Sequence, residues 1–323
     1  MFSDTNADPE ISVVLPVYNE TDTVGPLCAG LLRVCGGLDR SFELLWVDDG
    51  SDAATARVLD ELAEKDPRVR VMHLSRNFGH MAALTAGLEN ARATGAVICM
   101  DSDGQHPAEL LPELVARWDA GADIVQTLRT AAPGESLFKR LASRSFYRVI
   151  NVLADLDLKD GAADFRILDR QVVDVINALP ERARFLRGIV FWVGFRRDYL
   201  PYASQKRVYG KTKYGLFKMT ALALTAVTSF SNRPLRIAFG SALLVALAAV
   251  LYGIYVLACF VAGKQLNPGW TSIIGCMLVL HTMELVALAV LSEYLARVYD
   301  EQKRRPVYLT RRERPTRDGG NDQ

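Results

Sequence analysis

The chain has 323 residues, 50% of them hydrophobic and 23% charged, which is enough to bury a large core and excludes a disordered chain, a collagen and a small disulfide scaffold. Its 38 Lys and Arg residues nearly balance its 37 Asp and Glu residues, so the formal net charge is +1. This balance argues against a protein that coats nucleic acid, and any electrostatic function must be local.

The first 130 residues alternate between short β-branched apolar runs and amphipathic stretches. Such alternation is typical of a mostly parallel sheet with helices on both faces, so the predicted fold class is α/β. The predicted strands are Ile11–Val17, Phe42–Asp48, Val69–Ser75, Ala96–Asp101 and Asp123–Thr127. The predicted helices between them lie near Thr23–Cys35, Ala53–Lys65, Met81–Ala93 and Pro107–Ala120.

Polar residues directly follow four of these strands. Ligands bind beyond the carboxyl ends of parallel strands, so the four loops predict one binding site at one edge of the sheet. The loops read Y-N-E at 18–20, D-D-G-S at 48–51, S-R-N-F-G at 75–79 and D-S-D-G-Q at 101–105.

Three familiar kinds of site do not fit this sequence. A dinucleotide fingerprint, G-x-G-x-x-G, would follow the first strand, but that position reads P-V-Y-N-E. A P-loop would end in Gly210-Lys211-Thr212, but Gln205 stands where its first glycine must be. Five scattered cysteines without a C-x-x-C pair favour reduced thiols over a zinc site.

A pair of carboxylates indicates metal chemistry instead. Asp101 and Asp103 flank one residue at the end of a strand, where they can face one hard cation together with the Gln105 amide oxygen. A divalent ion held there would neutralise a diphosphate leaving group. The spacing alone is weak evidence, because Asp155 and Asp157 share it and are interpreted as a solvated helix end. The position after a strand favours function for the first pair over an ordinary loop.

Two long apolar stretches follow the α/β region. The first, 237–263, has 27 residues without a charge, more than the roughly 20 that cross a bilayer. The second, 270–291, is apolar except for His281 and Glu284, which share a helix face. Together the stretches predict a two-helix transmembrane hairpin. For the two ionisable residues, helix packing in an oligomer is favoured over lipid handling.

Basic residues predict the orientation of this hairpin. The segment 206–236 holds seven Lys and Arg residues and no acidic residue, and the segment 297–317 holds eight, whereas the connecting loop has only Lys264. Met1–Glu10 has no secretory signal. We therefore predict an integral protein of the cytoplasmic (inner) membrane that crosses twice, with both termini and the catalytic domain cytoplasmic.

These patterns divide the chain into four parts. Residues 1–200 are predicted to form a cytoplasmic α/β domain, and 201–236 a basic loop with interfacial amphipathic helices. The helix pattern at Leu216–Ser229 is also compatible with burial against the α/β domain. Residues 237–292 are predicted to form two transmembrane helices, and 293–323 a basic cytoplasmic tail.

Six motifs in this order resemble the family-2 glycosyltransferases of the GT-A (Rossmann-like) fold. They are V-V-L-P-V-Y-N-E at 13–20, V-D-D-G-S at 47–51, L-S-R-N-F-G at 74–79, D-S-D-G-Q-H-P at 101–107, D-F-R at 164–166 and R-V-Y-G-K-T-K-Y at 207–214. With the two apolar stretches and E-Y-L-A-R-V-Y at 293–299, the chain is similar to the polyprenyl-phosphate glycosyltransferases. That group contains dolichyl-phosphate mannose synthase and the bactoprenol glucosyltransferases. The resemblance covers nearly the whole chain.

The resemblance implies four sets of site residues. The nucleotide site contains Pro16, Tyr18, Glu20, Asp48, Asp49, Arg76, Asp101 and Ser102. The metal site holds Mg²⁺ or Mn²⁺ through Asp101, Asp103 and Gln105. Asp164 matches the proposed catalytic base, with Arg166 beside it. The lipid phosphate or the diphosphate is received by Arg129, Lys139, Arg140, Arg207 and Lys213. The sequence departs from the family pattern at Gly161-Ala162-Ala163, before the D-F-R motif.

Simpler interpretations remain for several of these residues. Tyr18 and Asn19 could be turn residues, and Ser51 is favoured as a helix cap over a ligand. His80 and His106 are favoured as supporting or surface residues. The basic run 206–218 could face lipid headgroups rather than bind a phosphate.

The function that the resemblance implies is inverting transfer of a sugar from a nucleotide-diphosphate donor to polyprenyl phosphate at the cytoplasmic membrane face. A UDP-sugar is favoured over a GDP-sugar, and a homo-oligomer, a tetramer by resemblance, is expected. One alternative is a glycosyltransferase that extends a glycolipid or polysaccharide, although the Q-x-x-R-W motif of processive synthases is absent. Another is a catalytically silent nucleotide-sugar-binding membrane scaffold, against which the intact aspartates argue. The sugar and the polyprenol length stay open.

Overall fold

The computed structural model describes residues 8–130, 159, 161–182, 184–203, 231, 233–262 and 269–311. The chain divides into two compact units. The first contains the described residues up to 203 together with 306–311, and the second contains the described residues from 231 to 305. The predicted interfacial segment, 216–229, lies outside the described residues.

The first unit is an α/β domain. Its strands are β1 (Ile11–Val17), β2 (Phe42–Asp48), β3 (Val69–His73), β4 (Ala96–Cys99), β5 (Ile124–Thr130), β6 (Ala162–Asp169) and β7 (Arg197–Ala203). Its α-helices are α1 (Thr21–Gly36), α2 (Ala53–Lys65), α3 (His80–Asn90), α4 (Leu111–Asp119), α5 (Arg170–Ala178) and α6 (Leu186–Trp192).

The strands form one sheet in the order β3-β2-β1-β4-β6-β5-β7. Strand β6 is antiparallel to both of its neighbours, β4 and β5, and every other pairing in the sheet is parallel. The predicted mostly parallel α/β sheet is therefore confirmed. Six strands end at one edge of the sheet, and β6 begins at that same edge.

The core explains why the first two strands were predictable. All seven residues of β1 and all seven of β2 are buried, as expected for strands covered on both faces. Helix α3 packs so closely on β1 that a side chain at Gly87 would collide with Val14. This close approach brings the start of α3, at His80, to the sheet edge where β1 ends.

The predicted and observed elements differ in the second half of the domain. Strands β1 and β2 and helix α2 have the predicted bounds, whereas β3 and β4 end two residues early, which leaves Asp101 in a loop. Strands β6 and β7 and helices α5 and α6 were not predicted. Strand β6 is hidden in the sequence because it carries Asp164 and Arg166 at buried positions.

The second unit contains two helices, α7 (Arg233–Val261) and α8 (Trp270–Gln302). Both are long and apolar enough to cross a membrane. Helix α8 continues to Gln302, beyond residue 292, where the second transmembrane stretch was predicted to end. Its polar last turns contain E-Y-L-A-R-V-Y, a good helix-forming sequence that hydropathy alone does not detect.

The predicted basic tail contains two parts with described structure. Within 293–323, the first residues belong to α8, and residues 306–311 return to the α/β unit. There Thr310 pairs with Leu74 in an antiparallel bridge just after β3. The tail segment thus covers part of the exposed edge of the sheet.

Candidate active site

The centre of the site lies where β4 ends and β6 begins. Cys99 on β4 pairs with Arg166 on antiparallel β6, so continuing this register by two residues sets Asp101 opposite Asp164. His80 lies between the two, with its Nε2 3.4 Å from Asp101 Oδ1 and 3.3 Å from Asp164 Oδ2. The fold therefore brings the D-S-D motif, the D-F-R motif and the first residue of α3 together.

Asp101 is held from behind by a buried histidine. His106 Nε2 lies 3.0 Å from Asp101 Oδ2, and its Nδ1 lies 2.9 Å from the Tyr202 hydroxyl. The His106 ring packs against Phe165 at a centroid distance of 5.0 Å. Burial alone would raise the pKa of Asp101, but the His106 hydrogen bond and the nearby His80 lower it. His106 thus has the supporting role that was favoured from the sequence.

Two buried atoms at this edge have no hydrogen-bond partner among the described residues. They are Asp101 Oδ1 and Arg166 Nη1. Buried polar atoms are almost always hydrogen-bonded, so an unpaired acceptor and an unpaired donor mark a place where a ligand fits. The Asp101 side chain is 29% exposed, which leaves it accessible to such a ligand.

The predicted metal ligands lie in one short loop. Asp103 Oδ1 accepts a hydrogen bond from the Gln105 amide at 3.1 Å, and Gln105 Oε1 accepts one from Arg129 Nη1 at 3.3 Å. Carboxylate and amide oxygens are the donors that Mg²⁺ and Mn²⁺ prefer. With Asp101 two residues before Asp103, the loop offers oxygen donors of the kind that suit a hard divalent cation. His80, Asp101 and Asp164 also offer ligand atoms within 4.8 Å of one another.

Asp164 is a buried carboxylate between two guanidinium groups. Arg166 Nη2 bonds one of its oxygens, while Arg187 Nε lies 3.0 Å from both oxygens and Nη2 lies 2.7 Å from Oδ2. Burial alone would raise the pKa of Asp164, but the charges of Arg187 and Arg166 and the His80 hydrogen bond hold it well below its usual range. The side chain is fully buried, so Asp164 is a fixed negative charge.

Arg187 is the functional candidate that the sequence analysis missed. It lies on α6, 23 positions after Asp164, in the apolar run L-R-G-I-V at 186–190. The available signal was a single cation inside an otherwise apolar helix. A cation in such a place needs an anionic partner, but the sequence does not say which.

Asp48 and Asp49 are bonded within the domain. Asp48 Oδ1 accepts the Ser51 amide at 2.8 Å, and its Oδ2 lies 2.7 Å from His73 Nδ1. Asp49 accepts the amides of Phe78 and Gly79 at 2.7 and 2.9 Å. Burial raises the pKa of Asp49, and these amides only partly offset the effect. Asp49 therefore fixes the loop 75–79 at the end of β3.

The other predicted nucleotide-site residues lie in the same loops. Tyr18 is 42% exposed and Arg76 is exposed, with its guanidinium 4.1 Å from the Phe78 ring centroid. The Ser102 hydroxyl donates to the Pro16 carbonyl at 2.8 Å, which joins the ends of β4 and β1. Exposed Tyr18 and Arg76 thus offer binding surface, whereas Ser102 joins strands.

The predicted helix cap is wrong by one residue. Asp52, not Ser51, caps α2, because its side chain accepts the Thr55 amide at 2.9 Å. The Ser51 hydroxyl accepts the Asn19 amide at 3.0 Å, and Asn19 Oδ1 accepts the Asp52 amide at 2.9 Å. Asn19 has a φ of 54°, a left-handed conformation that asparagine tolerates. Asn19 and Ser51 therefore build a turn.

Among the predicted cations, the structure describes Arg129. Its backbone amide donates to Gly161 at 2.8 Å, and a side chain at Gly161, whose φ is +80°, would come within 2.5 Å of the Arg129 carbonyl. Glycine is therefore required where the sequence departs from the family pattern. Lys139, Arg140, Arg207 and Lys213 lie outside the described residues. Glu20, in the loop after β1, accepts the Thr23 hydroxyl at 3.2 Å.

Comparisons with known proteins identify the family of this chain. Residues 12–176 match the model of glycosyl transferase family 2. An uncharacterized glycosyltransferase, YkcC, of Bacillus subtilis is 37% identical over 303 residues, covering 94% of each chain. A prophage bactoprenol glucosyl transferase homolog of Escherichia coli is 36% identical over 304 residues, covering 94% of this chain and 99% of the relative.

A solved structure also aligns with part of this chain. The crystal structure of TarS residues 1–349 from S. aureus in complex with UDP is 19% identical, with a TM-score of 0.44, over 68% of this chain and 64% of the other. The family match covers half of the chain, and the relatives cover nearly all of it. The protein is a glycosyltransferase, and the chain belongs to glycosyltransferase family 2.

Proposed function

We propose that this enzyme transfers one sugar, with inversion, from a nucleotide-diphosphate sugar to polyprenyl phosphate at the cytoplasmic face of the membrane. A UDP-sugar is the preferred donor. The observation that carries the proposal is the pair of aspartates at the β4–β6 edge: Asp101 has a buried, unpaired oxygen, and Asp164 is a fixed anion beside it. Relatives named as bactoprenol glucosyl transferases over nearly the full chain support the acceptor.

The donor diphosphate is assigned to the loop after β4. Asp101, Asp103 and Gln105 would hold Mg²⁺ or Mn²⁺, which when bound neutralises the charge of the leaving diphosphate. Arg129, hydrogen-bonded to Gln105, adds a positive charge next to the same group. Tyr18 and Arg76 are exposed in the loops after β1 and β3, where they can receive the nucleotide.

Asp164 is assigned an electrostatic role rather than the role of a base. An attacking phosphate monoester has a second pKa of about 6, so it is already largely dianionic at neutral pH and needs no strong base. A carboxylate paired with Arg166 and Arg187 is also a poor proton acceptor, since both charges favour its ionised form. Asp164 instead orients the sugar and stabilises positive charge that develops at the anomeric carbon.

The two apolar helices agree with a lipid acceptor. Moving the acceptor's hydrocarbon into water costs about 0.8 kcal/mol per CH₂ group, so the enzyme must work at the membrane surface. Helices α7 and α8 are long enough to anchor it there. The distribution of basic residues supports two membrane crossings with both termini cytoplasmic. Association into a homo-oligomer through these helices belongs to the same proposal.

The proposal is tested with purified full-length protein in detergent. It is incubated with undecaprenyl phosphate, Mg²⁺ or Mn²⁺ and a panel of UDP- and GDP-sugars, and the lipid product is read by mass spectrometry. We expect the lipid to gain one sugar from one donor class. NMR of the product should show that the anomeric configuration is inverted relative to the donor. Sugar transfer only to a glycolipid, or nucleotide binding without any transfer, would favour the alternatives and overturn the proposal.

A further inference from the structure

The C-terminal strand, defined here as residues 306–311, is bonded to the end of β3. The Ser75 amide donates to the Leu309 carbonyl at 2.8 Å, and the Arg311 amide donates to the His73 carbonyl at 2.8 Å. Thr310 lies opposite Leu74 between these two bonds. Strand β3 is the last strand on its side of the sheet, so the C-terminal strand extends the sheet at an edge that would otherwise be open.

A second contact joins the C-terminal strand to α3. The Tyr308 hydroxyl donates to Glu89 Oε2 at 2.9 Å and accepts from Asn90 Nδ2 at 2.9 Å. Arg184 also binds Glu89, at 2.9 Å, so the carboxylate is held by two partners. Burial and this hydrogen bond raise the pKa of Tyr308 to about 12, which keeps the hydroxyl protonated as the donor.

The loop 75–79, which Asp49 binds, connects the two elements that the C-terminal strand contacts. The loop 75–79 leaves β3 at the C-terminal strand and enters α3, whose last turn binds Tyr308. Its Phe78 and Gly79 amides bind Asp49, and its Arg76 backbone lies so close to Gly50 that a side chain there would collide with it. The C-terminal strand therefore supplies one of the supports of a loop at the proposed donor site.

We infer that the C-terminal strand is a positioning element for the donor nucleotide. It holds the loop 75–79, and with it Asp49 and Arg76, in the arrangement that receives the nucleotide; the inference rests on the proposed function for the identity of that ligand. Only three residues separate α8 from this strand in the chain. The donor site is thus completed by residues that follow both apolar helices, rather than by the first 203 residues alone.

The test removes one hydrogen bond of the C-terminal strand. Arg311→Pro deletes the amide that donates to His73, whereas Arg311→Ala removes the same side chain and keeps the amide. Thr310→Pro is the matched proline control, because the amide of a residue in a non-hydrogen-bonded antiparallel pair points away from the partner strand. Tyr308→Phe, which loses only a hydroxyl, is a milder variant in case Arg311→Pro does not fold.

The main measurement is the Kd of full-length protein for UDP and GDP with Mg²⁺, by calorimetry. We expect Arg311→Pro to raise the Kd about fivefold, as for one net hydrogen bond, and Tyr308→Phe to raise it less. Arg311→Ala and Thr310→Pro should match the wild type. In transfer assays the donor KM should rise with little change in kcat or in the acceptor KM. Hydrogen exchange of the Ser75 amide should quicken in Arg311→Pro.

Two results would overturn the inference, and a third would separate it from the proposed acceptor. Equal Kd values for Arg311→Pro and Arg311→Ala would overturn it, because the strand would then not affect nucleotide binding. Faster exchange at Ser75 with an unchanged Kd would reduce the strand to a purely structural role and also overturn it. If the Kd shifts as expected but no variant makes lipid product, wild type included, the inference stands and the proposed acceptor fails.

Discussion

The two halves of the active-site edge use aspartate in different ways. In the half built from β1, β2 and β3, Asp48 and Asp49 accept hydrogen bonds from one imidazole and three backbone amides. In the half built from β4 and β6, Asp101 keeps an unpaired buried oxygen, and Asp164 faces it as a fixed charge. Burial sets only Asp101 apart, because its side chain is 29% exposed whereas the other three aspartates are buried. The difference lies in the partners: backbone amides and His73 bind Asp48 and Asp49, charged side chains bind Asp164, and Asp101 Oδ1 has no hydrogen-bond partner among the described residues.

The contrast between the two halves of the edge is tested most strongly at the loop 101–105, the proposed metal site. Asp103→Ala should abolish transfer while the protein still inserts in membranes, because losing metal stabilisation worth several kcal/mol slows a reaction by orders of magnitude. The measurement is lipid product formed per minute with saturating Mg²⁺ or Mn²⁺. Asp155→Ala, in the second D-x-D of the chain, is the matched control and should retain activity. Wild-type rates in Asp103→Ala would remove the metal assignment.

The next largest effect is expected at Asp164. Asp164→Asn keeps the shape but removes the charge between Arg166 and Arg187, and loss of a fixed electrostatic group costs about 10²–10³ in turnover. Raising the pH from 7 to 9 should not restore the rate, because the missing element is charge and not a proton acceptor. The measurement is kcat across this pH range. Recovery of the mutant that follows deprotonation of the acceptor phosphate would show that Asp164 acts as a base.

A smaller effect is expected in the half whose aspartates are already bonded. Asp49→Asn leaves one acceptor oxygen where two amides need one each, so the loop 75–79 loosens. We expect the donor KM to rise about tenfold, as for one buried amide left without a partner, with little change in kcat. Asp52→Asn is the control, since asparagine caps a helix as well as aspartate. A fall in kcat alone would show that Asp49 takes part in the transfer step, and would contradict its assignment as a residue that only positions the loop 75–79.

The same contrast explains what the sequence could predict. Strands β1 and β2 were predictable because both faces are covered and every residue is buried. The position of the D-S-D loop at this edge was predictable because the motif comes just after the strand β4. Strand β6 was not, since buried Asp164 and Arg166 interrupt its apolar pattern. Their charges are tolerated only because Arg187, which is distant in sequence, completes the pairing.

The C-terminal strand was unpredictable for a related reason. Its sequence, P-V-Y-L-T-R, lies among basic residues and is typical of a solvated tail. Its ordered position depends on the open edge of β3 and on Glu89 and Asn90, which lie more than 200 positions earlier. Strand order decides which edge is open, and local sequence patterns do not contain strand order.

The smallest effect concerns His73 and separates stability from chemistry. His73 bonds Asp48 at 2.7 Å and Asp60 at 2.9 Å; the Asp48 hydrogen bond raises its pKa, burial opposes this, and Asp60 adds to the increase. Because the pKa is higher in the folded state, the charged imidazole stabilises fully below its unfolded pKa of about 6.5. That stabilisation is lost as the pH rises through the folded pKa.

His73→Gln should therefore lower the Tm more at pH 6 than at pH 9. A difference of about 1 kcal/mol corresponds to about 2–4 °C in Tm for a domain of this size. Asp60→Asn should reduce the pH dependence of the Tm without removing it, since Asp48 remains. Parallel plots of Tm against pH for wild type and His73→Gln would contradict the assignment of this pH dependence to His73.

Added Mg²⁺ should raise the Tm of wild type and His73→Gln equally, because a ligand that binds only the folded state stabilises by mass action. The proposed metal site, Asp101 and Asp103, is in the other half of the edge, so binding there should leave the Asp48–His73 pair unchanged.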